Sequence, residues 1–207
     1  MKVAIIDCGI GNVGSGRRAL EELGAEVVIA RRPTELAGAN RLILPGVGAF
    51  AEGMARLHAA GWVAMLREQV LGGGMPLLGI CLGMQMLAAS SDENGLSEGL
   101  GLIAGRVRRL DDLGCTLRIP HVGWNEVRFS DRATLFGGIG QATDFYFVHS
   151  FALEADDPSL VCATTDYGMP VVAAVEQGRV FGTQFHPEKS SKAGRQVLKN
   201  FLDYVAC

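Results

Sequence analysis

The chain has no strong charge excess of either sign, no long apolar run and no closely paired or metal-spaced cysteines. Nineteen Lys and Arg face 22 Asp and Glu, so no basic field exists to hold nucleic acid or an anionic membrane by charge alone. No stretch of about 18 apolar residues is available to span a bilayer, and Val3 to Ile6 is too short for a signal peptide. The five cysteines, Cys8, Cys81, Cys115, Cys162 and Cys207, are odd in number and scattered, which fits a reducing cytoplasm. Repeats, linkers and low-complexity tracts are also missing. What remains is a 207-residue sequence with 48% hydrophobic and 20% charged residues. That is enough for one compact domain, expected over residues 1–207, with a large core.

Strand-like and helix-like stretches alternate through the first half, the pattern of a mainly parallel open sheet flanked by helices. Val3 to Ile6, Glu26 to Ala30, Arg41 to Leu44 and Met75 to Ile80 read as strands. Ser15 to Leu23, Ala49 to Leu71 with a break near Gly61, and Leu82 to Ala89 read as helices. After Gly95 the texture changes to short β-prone runs: Ile103 to Leu110, Thr116 to Ile119, Glu126 to Phe129, Asp144 to His149 and Leu160 to Thr164. These predict an additional antiparallel portion. Val171 to Val175 and Val180 to Gln184 flank a glycine-containing turn and predict a hairpin. A final helix is expected from about Lys192 to Val205, with Val197, Leu198, Phe201 and Val205 on one apolar face.

Gly79-Ile80-Cys81-Leu82-Gly83 lies where a strand runs into a helix. A nucleophile between two glycines at such a junction is the elbow pattern, because small neighbours permit a turn that larger side chains would block. A sulfur at a helix N-terminus is favoured as thiolate. Of His58, His121, His149 and His186, the best base is His186, since it ends a strand in Gln184-Phe185-His186-Pro187-Glu188. In extended backbone Glu188 would point the same way and orient the imidazole. Taken alone, His186 and Glu188 are an ordinary surface pair. A Gly-rich turn, Pro45-Gly46-Val47-Gly48, follows another strand and exposes backbone N–H groups of the kind acyl chemistry needs.

Gly9-Ile10-Gly11-Asn12-Val13-Gly14 satisfies a dinucleotide fingerprint, with Arg31-Arg32 after the next strand. However, Asp7 and Cys8 separate the strand from the first glycine, and the fingerprint explains nothing about Cys81. These glycines are read as a loop closely approached by another surface. No cofactor and no metal is expected.

Together, Gly-Ile-Cys-Leu-Gly-Met-Gln, Gln-Phe-His-Pro-Glu and Leu-Pro-Gly-Val-Gly-Ala-Phe resemble the class I (triad) glutamine amidotransferases, over nearly the whole chain. Pro120-His121-Val122-Gly123-Trp124-Asn125 is the segment most similar to one branch, the glutaminase subunits of imidazole glycerol phosphate synthases in histidine biosynthesis. Cys8 and Phe151 stand where that branch usually carries tyrosine, and each removes a hydroxyl. The resemblance implies a Cys81, His186, Glu188 triad that hydrolyses glutamine, with the backbone N–H groups of Val47 and Leu82 as oxyanion donors. It implies that Gly48, Gln85, Glu93, His149 and Ser150 hold glutamine. Ammonia would pass to a separate cyclase subunit with a (β/α)8 barrel, in a heterodimer that Asn12, Trp124, Asn125 and Lys189 help to form. The triad motifs alone leave open a glutaminase serving a different acceptor.

Overall fold

The computed structural model describes residues 1–205, so Cys207 lies outside the described residues. The first strands are β1 (Lys2–Ile6), β2 (Glu26–Ala30) and β3 (Arg41–Gly46), with helix α1 (Val13–Glu22) after β1. Helices α2 (Phe50–Ala59) and α3 (Trp62–Arg67) follow, separated at Gly61, whose φ of 76° is left-handed and ends the first helix as expected. A single wider turn at Glu68–Gly72 leads to β4 (Leu77–Cys81) and the short α4 (Leu82–Met86).

Helix α4 stops earlier than the expected Ala89. The carbonyls of Met86 and Leu87 accept from the N–H groups of Leu100, Leu102 and Ile103, which diverts the chain into strand β5 (Ala88–Ser91). There follow β6 (Ser97–Glu98), β7 (Ile103–Arg109), β8 (His121–Phe129), β9 (Thr143–His149), β10 (Phe151–Ala155), β11 (Val161–Asp166), β12 (Pro170–Gln177) and β13 (Val180–Thr183). No strand forms at Thr116 to Ile119, contrary to expectation. The Arg118 carbonyl is taken by the Tyr167 hydroxyl at 2.7 Å, and Pro120 has no N–H to offer a ladder. The last helix, α5 (Ser191–Asp203), ends before Val205, which is 79% exposed and contributes nothing to its apolar face.

Two sheets result. The larger has the order β2-β1-β3-β4-β13-β12-β11-β8-β9, parallel from β2 to β13 and antiparallel beyond. A smaller sheet, β10-β7-β5-β6, is the part the sequence pattern does not separate from it. In β1 the alternation places Ala4 and Ile6 in one apolar cluster with Phe50, Leu57 and Trp62. Val3 and Ile5 join the opposite cluster with Leu20, Leu198 and Phe201. Helices therefore cover both faces of the parallel half, which is why its strands read as continuous apolar runs. Among the described residues no helix is long and apolar enough to cross a membrane.

In the parallel half, Gly46 pairs with Cys81 and Thr183 with Ile80. The carboxyl ends of β3, β4 and β13 thus reach one edge together, the usual place for a ligand in an open α/β sheet.

Candidate active site

Cys81 is both the last residue of β4 and the N-cap of α4, with φ 55° and ψ −112°. Such backbone on a non-glycine residue stores about 1–3 kcal/mol of strain. The flanking glycines make the turn possible. A Cβ on Gly79 would come within 2.6 Å of the Gly83 carbonyl oxygen, and one on Gly83 would overlap the carbonyl of Leu44.

His186 follows β13, its backbone N–H held by the Tyr146 carbonyl at 2.9 Å. Its Nδ1 lies 2.8 Å from Glu188 Oε1. The pair forms through a one-turn 3₁₀ helix at Pro187–Lys189 and not through extended backbone, a correction to the expected geometry. Ser190 Oγ closes the turn onto the His186 carbonyl at 2.7 Å. Burial lowers the proton affinity of His186, but hydrogen bonding and charge from Cys81 and Glu188 outweigh it and raise the pKa to about 9. With Nδ1–H donated to Glu188, the buried Nε2 is the nitrogen left for chemistry with Cys81.

Cys81 opens onto a cleft of about 360 Å³ that is also lined by Val47, Gly48, Leu82, Gln85, Glu93, His149 and Ser150. The residues expected to hold a substrate or an oxyanion therefore share one wall with the sulfur. Their free groups differ. Gln85 spends Nε2 on the Phe151 carbonyl at 2.8 Å and on Gln184 Oε1 at 3.0 Å, leaving its own oxygen as an acceptor. Glu93 accepts the N–H of Phe50, at the start of α2, through Oε2 at 2.7 Å. His149 has both ring nitrogens engaged, Nδ1 with the Phe151 carbonyl at 2.8 Å and Nε2 with His121 Nδ1 at 3.1 Å. Its ring therefore buttresses the cleft and has no nitrogen to spare for a ligand.

The His149 contacts fix the tautomers. The carbonyl can only accept, so His149 carries its proton on Nδ1 and accepts at Nε2 from His121, whose own Nε2 then accepts from Asn125 Nδ2 at 3.3 Å. Burial lowers the His121 pKa to about 4 and that of His149 to about 3, so both rings are neutral at pH 7. His121 is also stacked between Phe147 and Tyr167, with centroids 4.8 and 3.9 Å away. The β8 to β9 register that pairs His121 with His149 links residues 28 apart, which no local pattern reveals.

The expected oxyanion donor Val47 gives its N–H to the Ile10 carbonyl at 2.6 Å. Gly11 lies so close to Pro45 that a Cβ there would meet Cγ at 3.2 Å, so the glycine-rich segment after β1 packs directly on this loop. Asn12 is exposed and caps α1 by accepting the Ser15 N–H at 3.3 Å.

Val148, which lines the cleft, is exposed beside Val122 and Trp124 on the neighbouring strand, Trp124 at 52%. Trp124 packs edge-on against Tyr146, and Lys189 Nζ lies 5.8 Å over that tyrosine. Asn125, the next residue along β8, is not part of this patch. Its amide is spent on His121 and on the Asp166 carbonyl at 2.8 Å.

The sequence profile of the family described as glutamine amidotransferase class-I matches residues 4–205. The protein called imidazole glycerol phosphate synthase subunit HisH from Moorella thermoacetica is 48% identical over 98% of this chain and 95% of that one. The subunit of the same name from Acinetobacter baylyi is 43% identical over 98% of each. A crystal structure of a glutamine amidotransferase superposes with TM-score 0.77 at 23% identity, over 97% of each chain. The PurLQS structure from Thermotoga maritima gives TM-score 0.74 at 21% identity, over 98% of each. A Cys, His and Glu set at one sheet edge and a family match spanning nearly every residue lead to the same place: the chain belongs to the class I glutamine amidotransferases.

Proposed function

We propose that this chain is the glutaminase subunit of an imidazole glycerol phosphate synthase, acting in the cytoplasm as a single domain. It would hydrolyse glutamine to glutamate and ammonia and pass the ammonia to a cyclase subunit with a (β/α)8 barrel. That partner would use it to form imidazole glycerol phosphate and an aminoimidazole carboxamide ribonucleotide in histidine biosynthesis. The observation that carries the reading is the strained Cys81 beside the His186–Glu188 pair, in a chain 48% identical end to end to a HisH subunit.

In this mechanism the Cys81 thiolate attacks the side-chain carboxamide carbon of glutamine, forming a C–S bond. Negative charge moves to the carboxamide oxygen, where the N–H groups of Leu82 and a reoriented Val47 stabilise it. His186, protonated through its raised pKa, gives its Nε2 proton to the departing nitrogen, the C–N bond breaks and ammonia leaves. Neutral His186 then takes a proton from water, whose oxygen attacks the thioester; the C–S bond breaks and glutamate is released. Glu188 holds the imidazole in the required tautomer throughout. Glu93 and the Gln85 oxygen would accept from the substrate ammonium, and Ser150 and Gly48 would donate to its carboxylate.

Free ammonia is mostly protonated in water at neutral pH and then no longer nucleophilic, so its source should discharge into a bound partner. Asn12, Trp124 and Lys189 supply the docking surface in this reading. Cys81→Ala should abolish glutamine-dependent synthesis by the complex while ammonia-dependent synthesis continues, because added ammonia bypasses the sulfur. Substantial glutamine-dependent turnover in that variant contradicts the mechanism. A glutamine-like diazo ketone should label Cys81 and spare Cys8 and Cys162, whose thiols are held protonated chiefly by burial.

A further inference from the structure

We infer that Gln184 is a further catalytic residue, whose side-chain amide donates a hydrogen bond to the Cys81 thiolate. The inference rests on the reading of Cys81 as the nucleophile. Gln184 lies between β13 and His186, is fully buried, and has its backbone N–H fixed on the Ala173 carbonyl at 2.8 Å. Its Nε2 is 3.7 Å from Cys81 Sγ.

The orientation of that amide is not free. Gln184 Oε1 accepts from Gln85 Nε2 at 3.0 Å, which turns its own Nε2 toward the sulfur. Gln85 cannot flip, because the same nitrogen also donates to the Phe151 carbonyl at 2.8 Å, and a flip would set oxygen against oxygen. That carbonyl also receives the His149 Nδ1 proton, and His149 is held in its tautomer by His121 and Asn125. One buried amide is thus aimed at the sulfur by a line of hydrogen bonds that starts on β8.

The bond discriminates between the two forms of the sulfur. As a thiol, Cys81 donates to the Val148 carbonyl at 3.9 Å and gains little from a second donor. As a thiolate, it faces that carbonyl unfavourably and needs a donor, and hydrogen bonds to charged groups are about twice as strong as neutral ones. The ionisable groups around it are His186 and Glu188 after β13, His149 at the end of β9, and Glu93 after β5. His186 supplies the countercharge. Gln184 supplies a donor that needs no proton transfer.

The test compares Gln184→Leu and Gln184→Glu in the full chain, following iodoacetamide alkylation of Cys81 against pH and quantifying the Cys81 peptide by mass spectrometry. Leucine removes donor and acceptor. Glutamate keeps the acceptor for Gln85 and the volume, so it removes the donor selectively and adds a like charge. The alkylation midpoint should rise by at least about one pH unit with leucine, a tenfold loss of thiolate below the midpoint, and further with glutamate. Glutamine turnover in the loaded complex should fall in the same order. Unchanged midpoints in both variants overturn the inference and leave the nucleophile standing. A parent chain in which Cys81 alkylates no faster than Cys8 overturns the nucleophile reading, and the inference with it.

Discussion

Val47 donates its backbone N–H to the Ile10 carbonyl at 2.6 Å. A donor engaged in this way cannot serve a tetrahedral intermediate at Cys81. The bond ties the turn after β3 to the loop after β1, and Asn12, at the end of that loop, is exposed on the molecular surface. A partner seated there would touch the element that restrains the donor. Missing one such donor costs on the order of a hundredfold or more in rate, enough to keep an undocked glutaminase nearly silent.

Gly48 sets how easily the donor can turn. Its φ is +105°, a region that side chains rarely adopt, although the space around it is open. Gly48→Val should therefore meet no protein atom and act chiefly by straining the backbone. Partner-induced stimulation of glutamate release should fall about tenfold, while the dissociation constant of the complex, measured by titration calorimetry, stays within about twofold.

In the proposed mechanism His186 acts in both half-reactions, so His186→Ala should be as damaging as Cys81→Ala, at least about a thousandfold in kcat. Glu188→Gln keeps an oxygen near Nδ1 and should retain at least about tenfold more activity than His186→Ala. Combining Cys81→Ala with His186→Ala should add little to either change. Steady-state kinetics of the three variants and the double variant check this, and a strongly additive double variant would sink the shared role.

Stability should pass through a maximum near neutral pH. The pKa of His186 is raised to about 9, so its stabilising contribution is complete below about 6.5 and is lost as pH rises through about 9. His121 and His149 are lowered to about 4 and about 3, chiefly by burial. Their contribution as neutral rings is complete above about 6.5 and is lost as pH falls through those values. Melting temperatures between pH 4 and 10 should show both limbs, and His186→Gln should flatten only the alkaline one.

Trp124 is half exposed, so its removal should spare the fold and weaken docking. Trp124→Ala should raise the Kd for the cyclase subunit at least about thirtyfold, as expected of an aromatic anchor, with an unchanged melting temperature. An unaltered Kd would move the interface elsewhere.

Much of this was legible in the residues themselves. The parallel strands announce themselves because both faces are covered, and the Cys81 elbow because its glycines answer a steric demand. Strand β5 hides because Ala-Ala-Ser-Ser has no strand preference and is held in place by pairing with β7. The same capture of Met86 and Leu87 cut α4 short. The two-residue spacing of His186 and Glu188 suits extended chain, whereas the fold brings them together through a 3₁₀ turn. Ile10 acts through a carbonyl that every residue type shares, so no letter in the sequence marks it. The inward turn of Asn125 depends on Asp166, which only the folded sheet brings near.

In the proposed reading the Val47–Ile10 bond restrains this glutaminase and its partner releases it. The direct test is glutamate release by the isolated chain, and by the same chain with the purified cyclase subunit and a nucleotide ligand of that subunit. That restraint implies barely measurable turnover alone and a rise of at least about a hundredfold in the loaded complex. Full activity in the isolated chain, indifferent to any barrel partner, would contradict it.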